Sequence, residues 1–201
     1  SFGATNSRAY YAYDWVIREG CTGPIATASA IYGNVPSTAL PYLEDFNNGL
    51  SCAWSVLDPG GSTWEIVDNY GTSSNLNGSK FAFVDDDGAG STAPATNVKL
   101  VSPIFDALGY DTLTLEFDHY FRFFTGSAGF VEVYDGSAWV QVASFVADLG
   151  AWSIPNHQTI DVTAYQNADF QVRFRYDDLG GSWGWFWAVD NVEIDGALAP
   201  C

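Results

Sequence analysis

Positive charge is scarce in this sequence. Only seven of its 201 residues are Lys or Arg, against 24 Asp or Glu, so the formal net charge is −17. This deficit argues against binding to nucleic acid or to an anionic membrane surface. It favours divalent cations or cationic partners, although a role in solubility alone explains the charge equally well.

Methionine is absent, and the chain begins at Ser1-Phe2-Gly3. We expect that a signal or pro-segment has been removed and that the protein is secreted or held at the cell surface. No apolar stretch is long enough to span a membrane.

Cysteine is also rare, with only Cys21, Cys52 and Cys201. Their spacing matches no zinc site. An odd number allows one disulfide and one remaining thiol, and export favours the disulfide. The sequence does not indicate which two cysteines pair.

Motifs for catalysis are missing. The chain contains no Ser-His-Asp elbow, zinc-protease motif or phosphate loop, and its two histidines, His119 and His157, are isolated. Glu116 and Asp118 share one strand face about 7 Å apart, a spacing that suits two carboxylates in sugar hydrolysis. Nothing fixes the further acid that such a site needs, so we predict a protein that is not an enzyme.

Aromatic residues are abundant, and they lie in short alternating segments. Phe, Trp and Tyr make up 16% of the chain. From Pro41 onward, such segments are separated by Gly, Asp, Asn and Ser, and no amphipathic helix is longer than a turn or two. The pattern predicts an all-β protein with two antiparallel sheets packed as a sandwich. The predicted strands are residues 63–67, 80–84, 112–123, 130–134, 139–145, 158–162 and 170–176.

Residues 1–40 differ from the rest and form a predicted arm and linker, which leaves 41–201 as the main domain. Within the arm, residues 8–19 are strand-like, and one strand face is strongly apolar. This face needs a sheet edge to cover it, in another subunit or in its own domain. The residues of that face, which we predict to act in assembly, are Tyr11, Tyr13, Trp15 and Ile17.

Two acids occupy strand positions where an apolar residue is expected. By the period of two, Asp190 shares a face with Val192 and Ile194, and Glu44 shares a face with Tyr42 and Phe46. A lone inward carboxylate is costly unless it is paired or binds a cation. If the first and last strands are neighbours, Glu44 and Asp190 are predicted to hold one Ca²⁺. The alternatives are a bulge that turns Asp190 outward, or an acid satisfied by backbone N–H groups.

A second acidic cluster, Asp85-Asp86-Asp87-Gly88, follows a predicted strand. Acidic loops that end in Gly can wrap Ca²⁺, which makes Asp85 and Asp87 further candidate ligands. A solvated turn is an equally good interpretation.

The densest aromatic run, residues 183–187, holds the candidate ligand-binding residues. Exposed tryptophans stack on sugars or anchor protein interfaces. Trp183, between glycine-rich segments, is the better candidate for exposure, and Trp185 and Tyr120 are predicted to join it. The alternative is that Trp185 and Trp187 belong to the core, on the face of Val189.

The order of several short motifs resembles the MAM domain and its bacterial relatives, the cleaved-adhesin surface modules. The resemblance covers about four fifths of the chain, from Tyr42 to Cys201. It implies a jelly-roll sandwich, an extracellular setting, a binding or adhesion role and often a calcium ion between the terminal strands. The usual partners of Cys52 and Cys201 are absent, and Asn191 stands where the family has a second Asp. The matching segments are Glu44-Asp45-Phe46, Cys52-Ala53-Trp54, Trp64, Leu100-Val101-Ser102-Pro103, residues 113–117, Gly184 to Ile194, and Cys201.

Three functions are compatible with these features. The preferred one is a secreted or cell-surface adhesion module that binds a surface glycan or a protein and is stabilised by Ca²⁺. The second is a subunit of an extracellular fibre, a homo-polymer assembled when the arm adds a strand to a neighbouring sheet. The third is a carbohydrate-active enzyme.

Overall fold

Two antiparallel β-sheets form the framework of the chain that the computed structural model describes, residues 37–181 and 183–198. Eleven strands, one short helix and one 3₁₀ turn follow one another in these residues. They are β1 Tyr42–Glu44, β2 Ser55–Leu57, β3 Trp64–Val67, β4 Phe81–Asp85, α1 Asp86–Ala89, β5 Asn97–Val101, β6 Tyr110–Arg122, β7 Ala128–Tyr134, β8 Trp139–Phe145, β9 Asn156–Asp161, the 3₁₀ turn Thr163–Tyr165, β10 Gln171–Asp177 and β11 Phe186–Leu198.

The six-stranded sheet has the order β3-β4-β11-β6-β9, and β1 also pairs with β11. The five-stranded sheet has the order β2-β5-β10-β7-β8. All strand pairs are antiparallel, and the first strand of the domain lies beside the last. The predicted two-sheet antiparallel sandwich is therefore confirmed.

Strand β6 shows why the alternating segments become strands. Its odd-numbered side chains from Leu113 to Phe121 are fully buried, as the period of two predicts, while Glu116 and Asp118 face outward. His119 is one of the buried residues, and its Nδ1 accepts a hydrogen bond from Trp187 Nε1 at 3.2 Å.

Aromatic rings fill the space between the sheets. Trp187 of β11 is fully buried, with its ring 5.7 Å from Trp64 and 5.8 Å from Phe174 of the other sheet. Val189 belongs to the same core cluster, so the alternative interpretation holds for Trp187 but not for Trp185, which is half-buried and lies outside this cluster. Emptying a buried site of this size typically costs about 3–5 kcal/mol.

A second aromatic cluster covers the outer face of the six-stranded sheet. Phe83 and Phe186 are buried there, and Trp152, from the loop after β8, stacks on Phe186 at 5.1 Å. Tyr70 lies beside Trp152 at 5.7 Å. Both faces of this sheet are therefore apolar near β4 and β11, and the loops that carry Tyr70 and Trp152 shield the outer one.

Strand β11 contains a bulge between Asp190 and Glu193, opposite Asp118 and Glu116 of β6. The extra residue is Asn191, which has a positive φ of 51°. Before the bulge Val189 faces the core, and after it Val192 faces the core, so the alternation is reset by one residue.

Several predictions fall outside the described residues. The arm, including residues 8–19, is one of them, and Cys21 and Cys201 are others. Cys52 is disulfide-bonded. No helix in residues 37–181 or 183–198 is long and apolar enough to cross a membrane.

Candidate ligand-binding site

An aromatic patch lies where β6 ends and β11 begins. Trp183 is 43% exposed, and its ring centroid lies 5.8 Å from that of Phe124. The Phe124 ring is also 6.4 Å from Trp185. The guanidinium of Arg122 lies over the Trp185 ring, 5.6 Å from its centroid. A small open hollow lies between these rings and is lined by Asp87, Phe124, Trp183, Gly184 and Trp185.

Helix α1 holds this patch in place. The backbone N–H groups of Asp86 and Asp87 both donate to the carbonyl oxygen of Trp185, at 2.9 and 3.0 Å. In return, Trp183 Nε1 donates to the carbonyl oxygen of Asp87 at 3.4 Å, and the N–H of Gly184 donates to the Asp86 carboxylate. The two tryptophans therefore sit on a hydrogen-bonded frame.

Gly184 allows the loop to approach the core. A Cβ atom at this position would lie 2.0 Å from the hydroxyl oxygen of Tyr176, which is fully buried. Because no side chain fits there, the backbone passes directly over Tyr176 and Trp183 is held outward. The glycine beside Trp183 is thus required by packing.

Beneath the patch, Asp86 and Asp178 are buried and share a partner, Thr96. The Thr96 hydroxyl donates to Asp86 Oδ1 at 2.6 Å, and the Thr96 N–H donates to Asp178 Oδ2 at 3.0 Å. Burial raises the pKa of Asp178. It also raises the pKa of Tyr176 far above its usual value, helped by the nearby Asp86. The acidic run predicted as a metal loop therefore includes a buried side chain, Asp86, that anchors the aromatic patch.

The structure brings Trp183 and Trp185 together but places Tyr120 elsewhere. Tyr120 is buried in the outer-face aromatic cluster, edge-on to Trp152 at 5.2 Å and to Phe186 at 5.0 Å. Trp185 packs against the same cluster, so Tyr120 supports the patch from below. Phe124 and Arg122 were not predicted as site residues. The sequence pattern around residues 122–124 does not indicate that the end of this strand lies close to residue 183.

Glu44 lies on the core side of β1. Its carboxylate accepts from the Tyr42 hydroxyl at 2.9 Å and from the N–H of Phe46 at 3.1 Å. Tyr42 in turn accepts from Trp54 Nε1 at 2.8 Å. Burial raises the pKa of Glu44.

Asp190 lies on the outer side of β11, opposite Asp118, and is fully buried. Its Oδ2 accepts from Asn77 Nδ2 at 2.7 Å and from the Ser79 hydroxyl at 2.9 Å, while Oδ1 accepts from its neighbour's N–H. Burial raises the pKa of Asp190 to about 6. The bulge is the physical reason that the predicted shared face of Asp190 with Val192 is wrong.

The two acids therefore do not face each other. Glu44 is opposite Val192 on the core side, whereas Asp190 is on the other face of the sheet. Asp85 caps helix α1, because its Oδ1 accepts from the N–H of Gly88 at 2.9 Å. Within the described ranges, no group of three or more acidic, His or Cys side chains is arranged to hold a metal ion. Calcium binding stays a prediction.

Glu116 and Asp118 share one outward face, as predicted, and both contact His157 of β9. His157 Nε2 lies 3.4 Å from Glu116 Oε2, and Nδ1 lies 2.9 Å from Asp118 Oδ1. The second oxygen of Asp118 accepts from Asn191 Nδ2 at 2.8 Å. Hydrogen bonding to Asp118 raises the pKa of His157.

Comparison with known proteins identifies the fold. The chain matches no family model and no curated protein. Among solved structures it is similar to the K1 cleaved adhesin domain of Lys-gingipain from Porphyromonas gingivalis, with a TM-score of 0.59, 17% identity and coverage of 79% of this chain and 98% of that one. It is also similar to a family 61 carbohydrate-binding module solved with β-1,4-galactotriose, at a TM-score of 0.51, 13% identity and coverage of 76% and 94%. A third similar structure is a xylan-binding domain from Paenibacillus barcinonensis, with a TM-score of 0.50, 12% identity and coverage of 79% of this chain and 95% of that one.

These similarities establish a jelly-roll sandwich of the kind found in cleaved adhesins and carbohydrate-binding modules. At identities this low, they describe the fold alone. The more specific resemblance to the MAM domain stays a prediction.

Proposed function

We propose that this protein is a secreted or cell-surface, non-catalytic binding module whose ligand is a glycan that stacks on Trp183. The observation that carries the proposal is the patch itself: a large aromatic ring, exposed at 43%, that packs on Phe124 beside Trp185. Aromatic rings that keep one face in water while their backbone is fixed are suited to stacking on another flat surface.

The surroundings of the patch fit a sugar. The Arg122 side chain lies over Trp185, is 43% exposed and pairs with Asp148 at 2.6 Å, and its remaining N–H groups are available to donate to hydroxyl groups. The lining of the hollow itself is apolar, although Asp87 is one of the residues that form it. Ring faces flanked by a few fixed polar groups are typical of sites that bind small polar ligands. The solved relatives with bound or named sugars support the class of ligand, and the proposal for this chain rests on Trp183.

A glycan array with the Trp183→Ala variant tests the proposal. We expect the variant to lose binding at least tenfold while its melting temperature stays within a few degrees of the wild type. Ile154→Ala is a matched control, because Ile154 is an even more exposed apolar residue outside the patch. A wild-type protein that binds no glycan on the array, or equal binding by the Trp183 variant, would count against the site.

The same array, read for hydrolysis, separates binding from catalysis. If sugars are cleaved and Glu116→Gln abolishes cleavage, the protein is a carbohydrate-active enzyme and the proposal of a non-catalytic module is wrong.

A second candidate function is a subunit of an extracellular fibre. The distribution of charge favours it: residues 1–36 contain two basic residues, Arg8 and Arg18, and two acidic ones, Asp14 and Glu19. The remaining chain therefore carries the whole net charge of −17. A neutral, aromatic arm is the part of the molecule best able to approach another strongly acidic copy.

A further inference from the structure

One side of the sandwich is bordered by two long outer strands. Strand β8 ends the five-stranded sheet and β9 ends the six-stranded sheet. They lie on the same side, because Phe145 of β8 packs 4.3 Å from His119 of β6, the strand that neighbours β9. We call this side the β8–β9 flank.

The core is only partly covered at this flank. Val140, Val142 and Ala143 of β8 and Ile160 of β9 pack against the core but are only half-buried. Val146, directly after β8, is 60% exposed. Apolar side chains at the end of a sandwich favour a further element that covers them.

Strand β8 is a free edge of its sheet. Its sequence, Trp-Val-Gln-Val-Ala-Ser-Phe, contains no charged residue and no proline, two of the devices that prevent pairing at an edge. It does contain a bulge at Val142, where its register with β7 shifts by one residue. The outer strands on the opposite flank, β2 and β3, have only three and four residues. Strand β9 carries His157 and Asp161. Within the described chain, β8 pairs only with β7.

We propose that β8 accepts a strand from a second copy of this chain, supplied by residues 8–19. This assignment rests on the second candidate function. It identifies the interface between subunits, which we call the joint, as residues 8–19 of one copy paired with β8 of the next. Added beside β8, the donated strand would satisfy the free backbone groups of the edge. Its apolar face, with Tyr11, Tyr13, Trp15 and Ile17, would lie over the half-buried residues of the β8–β9 flank.

The reach of the chain agrees with such a joint. Residues 20–36 connect the proposed strand to the described domain, and fully extended they span up to about 60 Å. This reach requires Cys52 to be bonded to Cys201, because a bond to Cys21 would hold the arm beside residue 52. The domain begins with Thr38 bridged to Phe105, which itself bridges Phe170, next to β10. One copy that donates its arm and accepts another makes a head-to-tail contact, which propagates into an open chain of subunits.

Two blocked variants of the full-length chain test the joint. Tyr13→Ser with Trp15→Ser removes the apolar face of the donor, and Val142→Lys places a charge on the acceptor edge. Size exclusion with light scattering should show that wild-type assemblies grow with concentration while each variant alone stays monomeric. A 1:1 mixture of the variants should give dimers and nothing larger, because only one joint can form.

Matched controls are Tyr10→Ser, on the other face of the donor, and Ser55→Lys, an equal charge on the exposed edge strand β2. Both should assemble like the wild type. A wild-type chain that is monomeric at every concentration would overturn the proposal, and so would a Val142→Lys variant that assembles normally.

Hydrogen exchange provides an independent measurement if Val142→Lys fails to fold. In the wild type, amides of residues 139–145 should exchange more slowly as concentration rises, while those of β2 stay unchanged. Protection of β8 that does not depend on concentration would show that each arm folds onto its own domain. Assembly is measured without glycan, so loss of glycan binding by the Trp183 variant is a separate result.

Discussion

Asp190 and His119 are both fully buried, and burial shifts the pKa of each in the direction that favours its neutral form. Burial raises the pKa of Asp190 to about 6 from 3.8 and lowers the pKa of His119 to about 4 from 6.5. Because one is an acid and the other a base, their contributions to stability change with pH in opposite directions.

Between pH 4 and 6, the contributions of the two residues to the free energy of unfolding should change in opposite directions. The folded protein keeps the Asp190 proton longer than the unfolded chain does, so this residue's stabilising effect is lost as pH rises from about 4 to 6. The folded protein binds a proton at His119 only below about pH 4, so its stabilising effect is lost as pH falls from 6.5 to 4. Each effect amounts to at most roughly 3 kcal/mol.

We therefore expect Asp190→Asn to lose stability more steeply than the wild type as pH falls from 6 to 4, and His119→Phe to lose it less steeply. Urea unfolding at pH 4, 5, 6 and 7 measures these slopes. Parallel curves for all three proteins would show that neither side chain titrates in this range.

Gly184 gives a second prediction at the scale of one residue. Ala at this position brings a Cβ into the space of the Tyr176 hydroxyl, and Tyr176 cannot withdraw because it is fully buried. We expect Gly184→Ala to destabilise the fold by about 1–3 kcal/mol and also to weaken glycan binding. Trp183→Ala, by contrast, should weaken binding alone. Calorimetry combined with the glycan array checks both, and unchanged stability of Gly184→Ala would contradict the close packing.

Among the elements, strand β11 determines the positions of both the aromatic patch and the buried acid. Its first half pairs with β4 and β6, and after the bulge β1 replaces β4 as its neighbour. The bulge depends on Asn191, whose φ of 51° is tolerated by Asn better than by most residues. Its side chain also donates to Asp118.

A comparison of two substitutions tests this role. Asn191→Val places a β-branched residue at positive φ and removes the hydrogen bond to Asp118, so a loss of about 2–4 kcal/mol is expected. Asn191→Gly keeps the backbone conformation accessible and should lose only about 1 kcal/mol. Chemical denaturation measures both. Equal losses would indicate that the hydrogen bond, and not the backbone conformation, is what matters.

Strands were predictable from the sequence because their signal is local. Alternation in residues 112–123 predicted both the strand and its buried face, and the observed β6 is shifted by only one or two residues. The faces of β11 were not predictable in the same way, because one extra residue reverses the alternation. The pair Asp190-Asn191 carried a hint, since Asn is a residue that positive φ accepts.

At the scale of the whole molecule, the candidate site was only half predictable. Trp183 was identified by its neighbouring glycines, and that is a local property. Phe124 and Arg122 come from some sixty residues earlier in the chain and reach the patch only because β6 pairs with β11. Sheet order depends on long-range pairing, which the sequence pattern alone does not specify.

The described basic residues are mostly committed to ion pairs. On the five-stranded sheet, Arg173 and Arg175 both contact Glu132, and Arg175 also contacts Asp177. Lys99 pairs with Asp58. Most of the remaining acids therefore have no cation beside them, and repulsion among them opposes the compact state. Any cation, bound or diffuse, should stabilise this protein.

This excess of acid makes the calcium prediction testable only against a control for screening. We expect Ca²⁺ to raise the melting temperature more than NaCl does at equal ionic strength, and chelator to reverse the gain, because binding to the folded state alone stabilises it by about 2.7 kcal/mol at a hundred times the dissociation constant. Glu44 and Asp190 lie on opposite faces of the sheet, so Glu44→Gln and Asp190→Asn should not lose the calcium effect equally. The variant that loses it identifies the acid that binds the ion. The double variant Asp85→Asn, Asp87→Asn tests the acidic run before and within helix α1 by the same measurement of melting temperature in Ca²⁺ and NaCl. Identical melting curves in Ca²⁺ and in matched NaCl would mean that the charge is only screened and that calcium is not part of the fold.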